Sequence, residues 1–242
     1  MFSLEGKKIL ITGASSGIGA KIAIMAAEFG ACVTLTGRSM EKLNIVRNHM
    51  KANEHDLFPM DLTNEESILQ LSSSGHKFDG VVYNAGVIDY TPVKFINQAK
   101  FNKIFDINFT AIVLLNGLFI KNKRLNKNAS LVFVSSVSSQ LGVQGTALYA
   151  ASKAALNAYA RITASELAIQ GIRSNSISPG IVKTGTHIGD DVTNLAVHES
   201  KYPLGYGTPE DIGHLVIYML SNASRWMTGT DIKIDGGYSL HS

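Results

Sequence analysis

A single cysteine, a single tryptophan and five prolines are spread over 242 residues, and only 17% of the chain is charged. The lone Cys32 excludes an internal disulfide and a Cys-based zinc site. Set in the apolar run ACVTLT, it reads as a small buried hydrophobe of a chain kept in a reducing compartment. Charge of one sign is also scarce: 22 Lys and Arg against 19 Asp and Glu leave +3, and the bases are scattered except in KNKRLNK at 121–127. Nucleic-acid binding calls for a clustered basic face, and this run reads instead as a solvated helix end. The longest apolar stretch, FTAIVLLNGLFI, has 12 residues and carries Asn116. A bilayer span needs about 20. The N-terminus MFSLEGKKILITG enters a strand without an apolar signal core. The expectation is a cytoplasmic protein with no membrane, nucleic-acid or metal partner.

What the chain does have is hydrophobic residues, 45% of the total, enough for a sizeable core. Short β-branched runs (KKILIT, ACVTLT, HDLFPM, FDGVVYN, SLVFVSS, IRSNSIS and TDIKID) alternate with longer helical patterns. Two helix starts are explicit. TNEE at 63–66 fits a capping box with Thr63 as N-cap, and TPED at 208–211 puts Pro209 at the first helical position with acids behind it. Strand–helix alternation of this kind predicts an α/β fold: one Rossmann-type, doubly wound parallel sheet of about seven strands with helices on both faces. The whole of 1–242 reads as one domain. Its only long irregular stretch, 181–207, reads as a lid over a substrate.

The first strand runs into TGASSGIG. Gly13, Gly17 and Gly19 fall where bare backbone must approach a pyrophosphate and helix amides must point at it, with Ser15, Ser16 and Ile18 between them. The strict G-x-G-x-x-G spacing fails at Ile22. The same residues, Gly13-Ala14-Ser15-Ser16-Gly17, also match the G-x-S-x-G turn of hydrolases, with Asp190 and His214 following in order. Against a hydrolase stand the position on the first strand and the lack of a His-Gly-Gly run for an oxyanion hole.

A dinucleotide over this turn makes further demands. Strand two ends TLTGRS: Gly37 stands where an NAD site places a ribose-binding acid, and Arg38 follows it, suited to fork onto a 2′-phosphate. Asp61, with Leu62, ends strand three and could accept the adenine amino group or cap the next helix. Asn84, Ala85 and Gly86, in YNAG, end strand four where small residues let a cofactor come close.

Two Tyr-x-x-x-Lys pairs are present. Tyr90 and Lys94 have Pro92 between them and are not expected on a regular helix. Tyr149 and Lys153, in LYAASK, begin a run of good helix formers, so they share a face. There an ammonium is expected to lower the phenol pKa and make Tyr149 an acid/base near neutrality. Thirteen residues upstream, VSSVSS offers Ser135, Ser136, Ser138 and Ser139 at a strand end. Spacing alone does not choose among them.

Taken together, TGASSGIG, YNAG, Asn108 in IN, SS with YAASK, and SPGIVKT resemble the short-chain dehydrogenase/reductase family over essentially the whole chain, down to MTGTDIKIDGG. The resemblance implies that Asn108 holds a water in a proton relay to Lys153, that Ser136 polarises a carbonyl, and that Tyr149 is the acid/base. Lys153 would also bond the nicotinamide ribose, and Pro179, Gly180, Val182 and Thr184 would hold the nicotinamide end. Two residues depart from the pattern. Tyr83 replaces the first asparagine of NNAG, and Ser16 replaces the base that many NADP users carry. Overall texture is most similar to the bacterial 3-oxoacyl-acyl-carrier-protein reductases. Arg38 without an acid at Gly37 points to NADP(H), with NAD(H) possible. The similarity implies a small-molecule or acyl-thioester carbonyl substrate and makes 121–127 a contact for an acidic carrier as an alternative to the solvated face that remains its first reading. It also implies a homotetramer or dimer, with the helix at 147–170 against a neighbour through Leu156, Tyr159, Ala160, Ile162, Thr163 and Leu167, positions that an internal core would explain equally well. The alternatives are a sugar, polyol or steroid ketoreductase and a non-catalytic dinucleotide-binding regulator.

Overall fold

The computed structural model describes residues 2–184 and 198–240. Its strands are β1 (Lys8–Ile11), β2 (Cys32–Gly37), β3 (Asp56–Pro59), β4 (Phe78–Tyr83), β5 (Leu125–Val134), β6 (Arg173–Pro179) and β7 (Asp231–Ile234). They form one sheet in the order β3-β2-β1-β4-β5-β6-β7, parallel throughout. The chain winds outward from β1 to β3 and then returns to start again at β4. The carboxyl ends of β1 and β4 therefore diverge into a crevice, the usual ligand position in such sheets.

The helices are α1 (Gly17–Glu28), α2 (Met40–Asn48), α3 (Glu65–Ser73), α4 (Gln98–Phe105), α5 (Ala111–Lys121), α6 (Ala147–Leu167) and α7 (Pro209–Leu220). Because neighbouring strand residues point to opposite faces, the apolar strands fill two cores. On one face Ile9, Ile11, Val33, Leu35, Val132 and Ile177 meet α1 and α7. On the other, Leu10, Val81, Tyr83, Leu131 and Phe133 meet α5 and α6.

Three local expectations need correction. Thr63 is not the N-cap of α3, because its amide and hydroxyl are both taken by Asp61 Oδ1, at 2.9 and 2.7 Å. Asn64 caps the helix instead, accepting from the Ser67 amide at 2.9 Å. The helix start at Thr208 forms as expected, with Pro209 in its first turn, and it is there that a capping box closes, through Asp211. Second, the apolar stretch around Asn116 is not limited to 12 residues of helix. A π turn, Asp106–Thr110, joins α4 to α5, and the resulting helix Gln98–Lys121 is long and apolar enough by composition to cross a membrane. Its Ile104, Ile112, Leu115 and Phe119 are fully buried, the last three in the core of the α5/α6 face. Third, the basic run at 121–127 is only partly a helix end: it crosses from α5 into β5, and Arg124 donates to the Ser72 carbonyl at 2.7 Å. It lies at the amino end of β5, away from the crevice.

Candidate active site

The turn after β1 shows why its glycines are needed. Gly13 has φ 66°, and a Cβ there would stand 2.9 Å from Ala85 Cα. A Cβ at Gly19 would run into the Gly13 carbonyl and the Asn84 side chain. Thr12 completes the junction: its Oγ1 accepts from the Asn84 and Ala85 amides at 3.0 and 3.1 Å. Asn84 in turn donates to the Thr12 and Gly13 carbonyls at 3.1 and 3.2 Å. Ser16 is the N-cap of α1 but makes no side-chain cap, so the helix amides are left open toward the crevice.

That crevice holds a cavity of about 540 Å³. It is lined by Gly13, Ser15, Ser16, Gly17 and Ile18 from the turn, Arg38, Asp61 and Leu62 from the ends of β2 and β3, and Asn84, Ala85, Gly86 and Thr184. Gly37, expected at the ribose position, lines it too, and Thr36, Met60, Thr63, Val87 and Ile107 do so without having been anticipated. Gly37 has a specific role, since a Cβ there would press on Ser15 at 3.2 Å, so a larger side chain would displace that serine. Arg38 is exposed and makes no ion pair among the described residues. Asp61 is held below the usual carboxylate range, first by the Thr63 amide and then by the Thr63 hydroxyl. Gly19 lies behind the cavity wall as packing, and Pro179, Gly180 and Val182 lie outside the lining. Gly180 is fixed through its amide to the Ile234 carbonyl at 3.0 Å, and Val182 bridges to Gly207.

Beyond Gly86 the side chains take over. A Cβ on Gly86 would be 3.2 Å from both Asn108 Oδ1 and Lys153 Nζ. Asn108, in the π turn and fully buried, accepts from the Val87 amide at 2.8 Å and donates to the Val87 carbonyl at 2.9 Å and Ser152 Oγ at 3.2 Å. Its carboxamide thus buttresses the backbone after β4 against α6. Lys153 is 3% exposed, and its Nζ donates to the Val134 carbonyl at 2.8 Å. Burial lowers its pKa to about 8.

Tyr149 lies one turn before Lys153, with Nζ 5.9 Å from its ring centroid. The expectation of a lowered phenol pKa is not met. Burial raises it; a hydrogen bond with Ser136 opposes that shift, and Tyr90 adds to it. The reason is that the ammonium is itself desolvated and bonded to Val134, so the apolar surroundings of the phenol dominate.

The serines separate cleanly. Ser135 Oγ is committed to the Lys153 carbonyl at 3.2 Å. Ser139 Oγ donates to the Ser136 carbonyl at 2.7 Å and accepts from Asn157 at 3.1 Å. The Ser138 amide donates to Ser136 Oγ at 3.2 Å. Ser136 alone has a hydroxyl directed to Tyr149. Behind it lies a network the sequence reading missed: Asp231 accepts from Gln140, Asn157, Ser176 and Ser178, at 2.6 to 3.0 Å. The signal was there in SNSIS, three serines in a strand buried on both sides, which require a polar partner.

The hydrolase alternative finds no support: Ser15 faces the cavity, His214 is exposed beside Asp211 on α7, and Asp190 lies outside the described residues. So does about half of the expected lid segment, at 185–197. Of the candidate interface positions on α6, Leu156, Ala160, Thr163 and Leu167 are buried within the chain, while Ile162 is 60% exposed.

Known proteins share this sequence pattern and fold. Residues 13–239 match the family model described as enoyl-(acyl carrier protein) reductase. A 3-oxoacyl-[acyl-carrier-protein] reductase of Rickettsia felis is 35% identical over 241 residues, covering 98% of each chain. The structure of a short-chain type dehydrogenase/reductase from Mycobacterium marinum superposes with a TM-score of 0.88 at 33% identity, covering 98% of this chain and 97% of that one. A protein of Beutenbergia cavernae assigned as an NAD(P)-dependent gluconate 5-dehydrogenase, with NADP bound at low occupancy, gives 0.90 at 29%, covering 100% and 99%. By motif order, fold and similarity over nearly its whole length, this chain belongs to the short-chain dehydrogenase/reductase family of oxidoreductases.

Proposed function

We propose that the chain is an NADP(H)-dependent reductase of carbonyl compounds, and of 3-oxoacyl thioesters in particular. The observation that carries the reading is the meeting of Ser136, Tyr149 and Lys153 at the carboxyl ends of β5 and α6's first turns, beside a glycine-walled cavity of about 540 Å³. A dinucleotide fits that cavity: the open α1 amides and the bare backbone of Gly13 and Gly17 suit a pyrophosphate, and Asp61 and Leu62 border the adenine end. Arg38 without an acid at Gly37 favours a 2′-phosphate. Lys153 and the segment from Pro179 to Thr184 would hold the nicotinamide end.

When bound, the cofactor supplies the hydride and, once oxidised, a positive charge beside the phenol. The protein handles the oxygen. The Ser136 hydroxyl donates to the substrate carbonyl oxygen, and Tyr149 Oη gives its proton to that oxygen as it becomes an alcohol. A phenol whose pKa is raised by burial is protonated at neutral pH, the state a reduction needs. The Lys153 ammonium then stabilises the phenolate left behind, and Asn108 keeps α6 against the backbone at Val87. The acyl-thioester substrate rests on similarity to the Rickettsia felis reductase. The Beutenbergia cavernae protein favours a second reading, a sugar or polyol substrate. Homo-oligomeric assembly belongs to the same proposal, supported by Ile162 and Trp226, which are 60% and 96% exposed; light scattering measures it.

The test is NADPH oxidation with a panel of 3-oxoacyl thioesters and ketosugars. The preferred reading expects turnover of the thioesters, and activity on sugars alone moves the assignment to the second. Binding of NADPH with no turnover of any carbonyl would instead indicate a regulatory binding protein. For the cofactor, Arg38→Ala should weaken NADPH about tenfold or more and leave NADH unchanged, read by nucleotide fluorescence. Tighter binding of NADH than NADPH by the unmodified protein refutes the phosphate argument.

A further inference from the structure

Tyr83 is the residue where this chain departs from the family's asparagine, and it is wholly buried. Its hydroxyl donates to Asn116 Oδ1 at 2.8 Å, and Asn116 Nδ2 donates to the Tyr159 hydroxyl at 2.8 Å. The rings join the same assembly. Tyr83 stacks on Phe133 with centroids 4.6 Å apart and planes at 17°, and Tyr159 meets Phe133 edge-on at 5.9 Å. Burial holds the Tyr83 phenol far above its ordinary pKa, so it is a fixed proton donor to the amide.

These four residues come from β4, β5, α5 and α6, and each lies on an element that carries or leads into a site residue. Tyr83 precedes Asn84 of the cavity wall. Phe133 precedes Val134, whose carbonyl holds Lys153 Nζ. Asn116 is on the helix that continues from Asn108, and Tyr159 is on the helix of Tyr149 and Lys153. We propose that Tyr83 is a positioning residue, its hydroxyl acting through Asn116 and Tyr159 to hold α6 at the distance from β4 and β5 at which Lys153 meets Val134. The role of Lys153 rests on the reaction proposed above; the arrangement itself does not need cofactor or turnover to be tested.

Two variants break the chain at either end while keeping the rings, Tyr83→Phe and Tyr159→Phe. The measurement is a pH titration of Lys153 in cofactor-free protein with ε-13C-labelled lysine, assigned by Lys153→Arg, alongside thermal unfolding. In the unmodified protein burial lowers the Lys153 pKa to about 8, where the titration midpoint is expected. If the tie sets α6, each variant hydrates Lys153 and raises its proton affinity about tenfold, and the double variant adds nothing further. Where the protein turns over a ketone, kcat falls about tenfold and KM for NADPH rises by less. Lowered thermal midpoints with an unmoved Lys153 titration overturn the proposal, leaving Tyr83 as core packing. A third variant, Tyr83→Phe with Asn116→Leu, removes the stranded amide and should recover unfolding temperature but not the titration. Recovery of both also overturns it. If Tyr83→Phe fails to fold, Tyr159→Phe carries the test from the partly buried end. A wild-type protein that reduces no carbonyl counts against the function proposed, whereas the titration still decides the tie.

Discussion

Tyr149 and Lys153 stand on the first turns of α6, while Tyr90 and Lys94, at the same spacing, stand on the loop after β4 and the short 3₁₀ turn Val93–Phe95. On α6 the two side chains share a face and Lys153 is 3% exposed, bonded to a strand carbonyl. In the loop Tyr90 is 67% exposed and Lys94 lies over Phe95, 4.9 Å from its centroid. Pro92 has φ −56° and ψ 143°, an extended conformation that no helix continues through. Spacing therefore acquires chemical meaning only when a helix brings the residues together and burial changes their proton affinities. Burial does so in opposite senses here, raising the phenol and lowering the ammonium, because it penalises whichever form is charged.

The largest expected effect tests the buried pair directly. Tyr149→Phe removes the proton donor and nothing else of the ring, and should lower kcat about 10³-fold with NADPH binding retained, measured by absorbance of the reduced cofactor. Full activity in this variant would end the mechanism and the contrast with Tyr90 together.

The next effect is a pH dependence of stability. Lys153 in the folded protein has a pKa near 8, below its ordinary 10.5. Below pH 8 both folded and unfolded chains carry the proton, and the folded state bears the full cost of the buried ammonium, about 3 kcal/mol at most. Between 8 and 10.5 the unfolded chain retains a proton that the folded chain has released, so stability rises with pH across that window. Lys7 is lowered as well, chiefly by burial, so the informative quantity is the difference between wild type and Lys153→Met. The variant should lose most of the slope in denaturation midpoints between pH 8 and 10.5. An unchanged slope would mean that Lys153 is not the buried cation. The same variant should lose about 10²-fold in kcat.

How much of this was legible in the chain depends on the range of the interactions involved. The parallel sheet, the crevice and most of the cavity wall follow from local signals: β-branched runs, a glycine turn, small residues at 84–86. The cap at Asn64 was misread because Asp61, two residues before Thr63, competes for the same amide, a contest that pattern alone does not weigh. The direction of the Tyr149 shift was misread because burial is a property of the assembled fold. Spacing could not choose Ser136 from its neighbours, and only the family resemblance singled it out. The physical reason needs α6 and β7 in place, since Ser135 is claimed by the Lys153 carbonyl and Ser139 by Asn157. Tyr83 was visible as an oddity, but its partners lie 33 and 76 residues along the chain.

The smallest expected effect is the one that most sharpens the comparison. Tyr90 is close enough to Tyr149 to oppose its ionisation, and its loop is tied across the site by the Thr91 amide to the Gly145 carbonyl at 2.7 Å. Removing the Tyr90 hydroxyl takes away one weak opponent of the phenolate and leaves that backbone tie and the exposed ring in place. Tyr90→Phe and Lys94→Ala should each keep kcat within about twofold of wild type, as surface substitutions away from buried partners generally do. A loss in Tyr90→Phe as large as that in Tyr149→Phe would make the exposed tyrosine the proton donor. Burial beside a desolvated lysine would then no longer distinguish a working Tyr–Lys pair from one that merely shares its spacing.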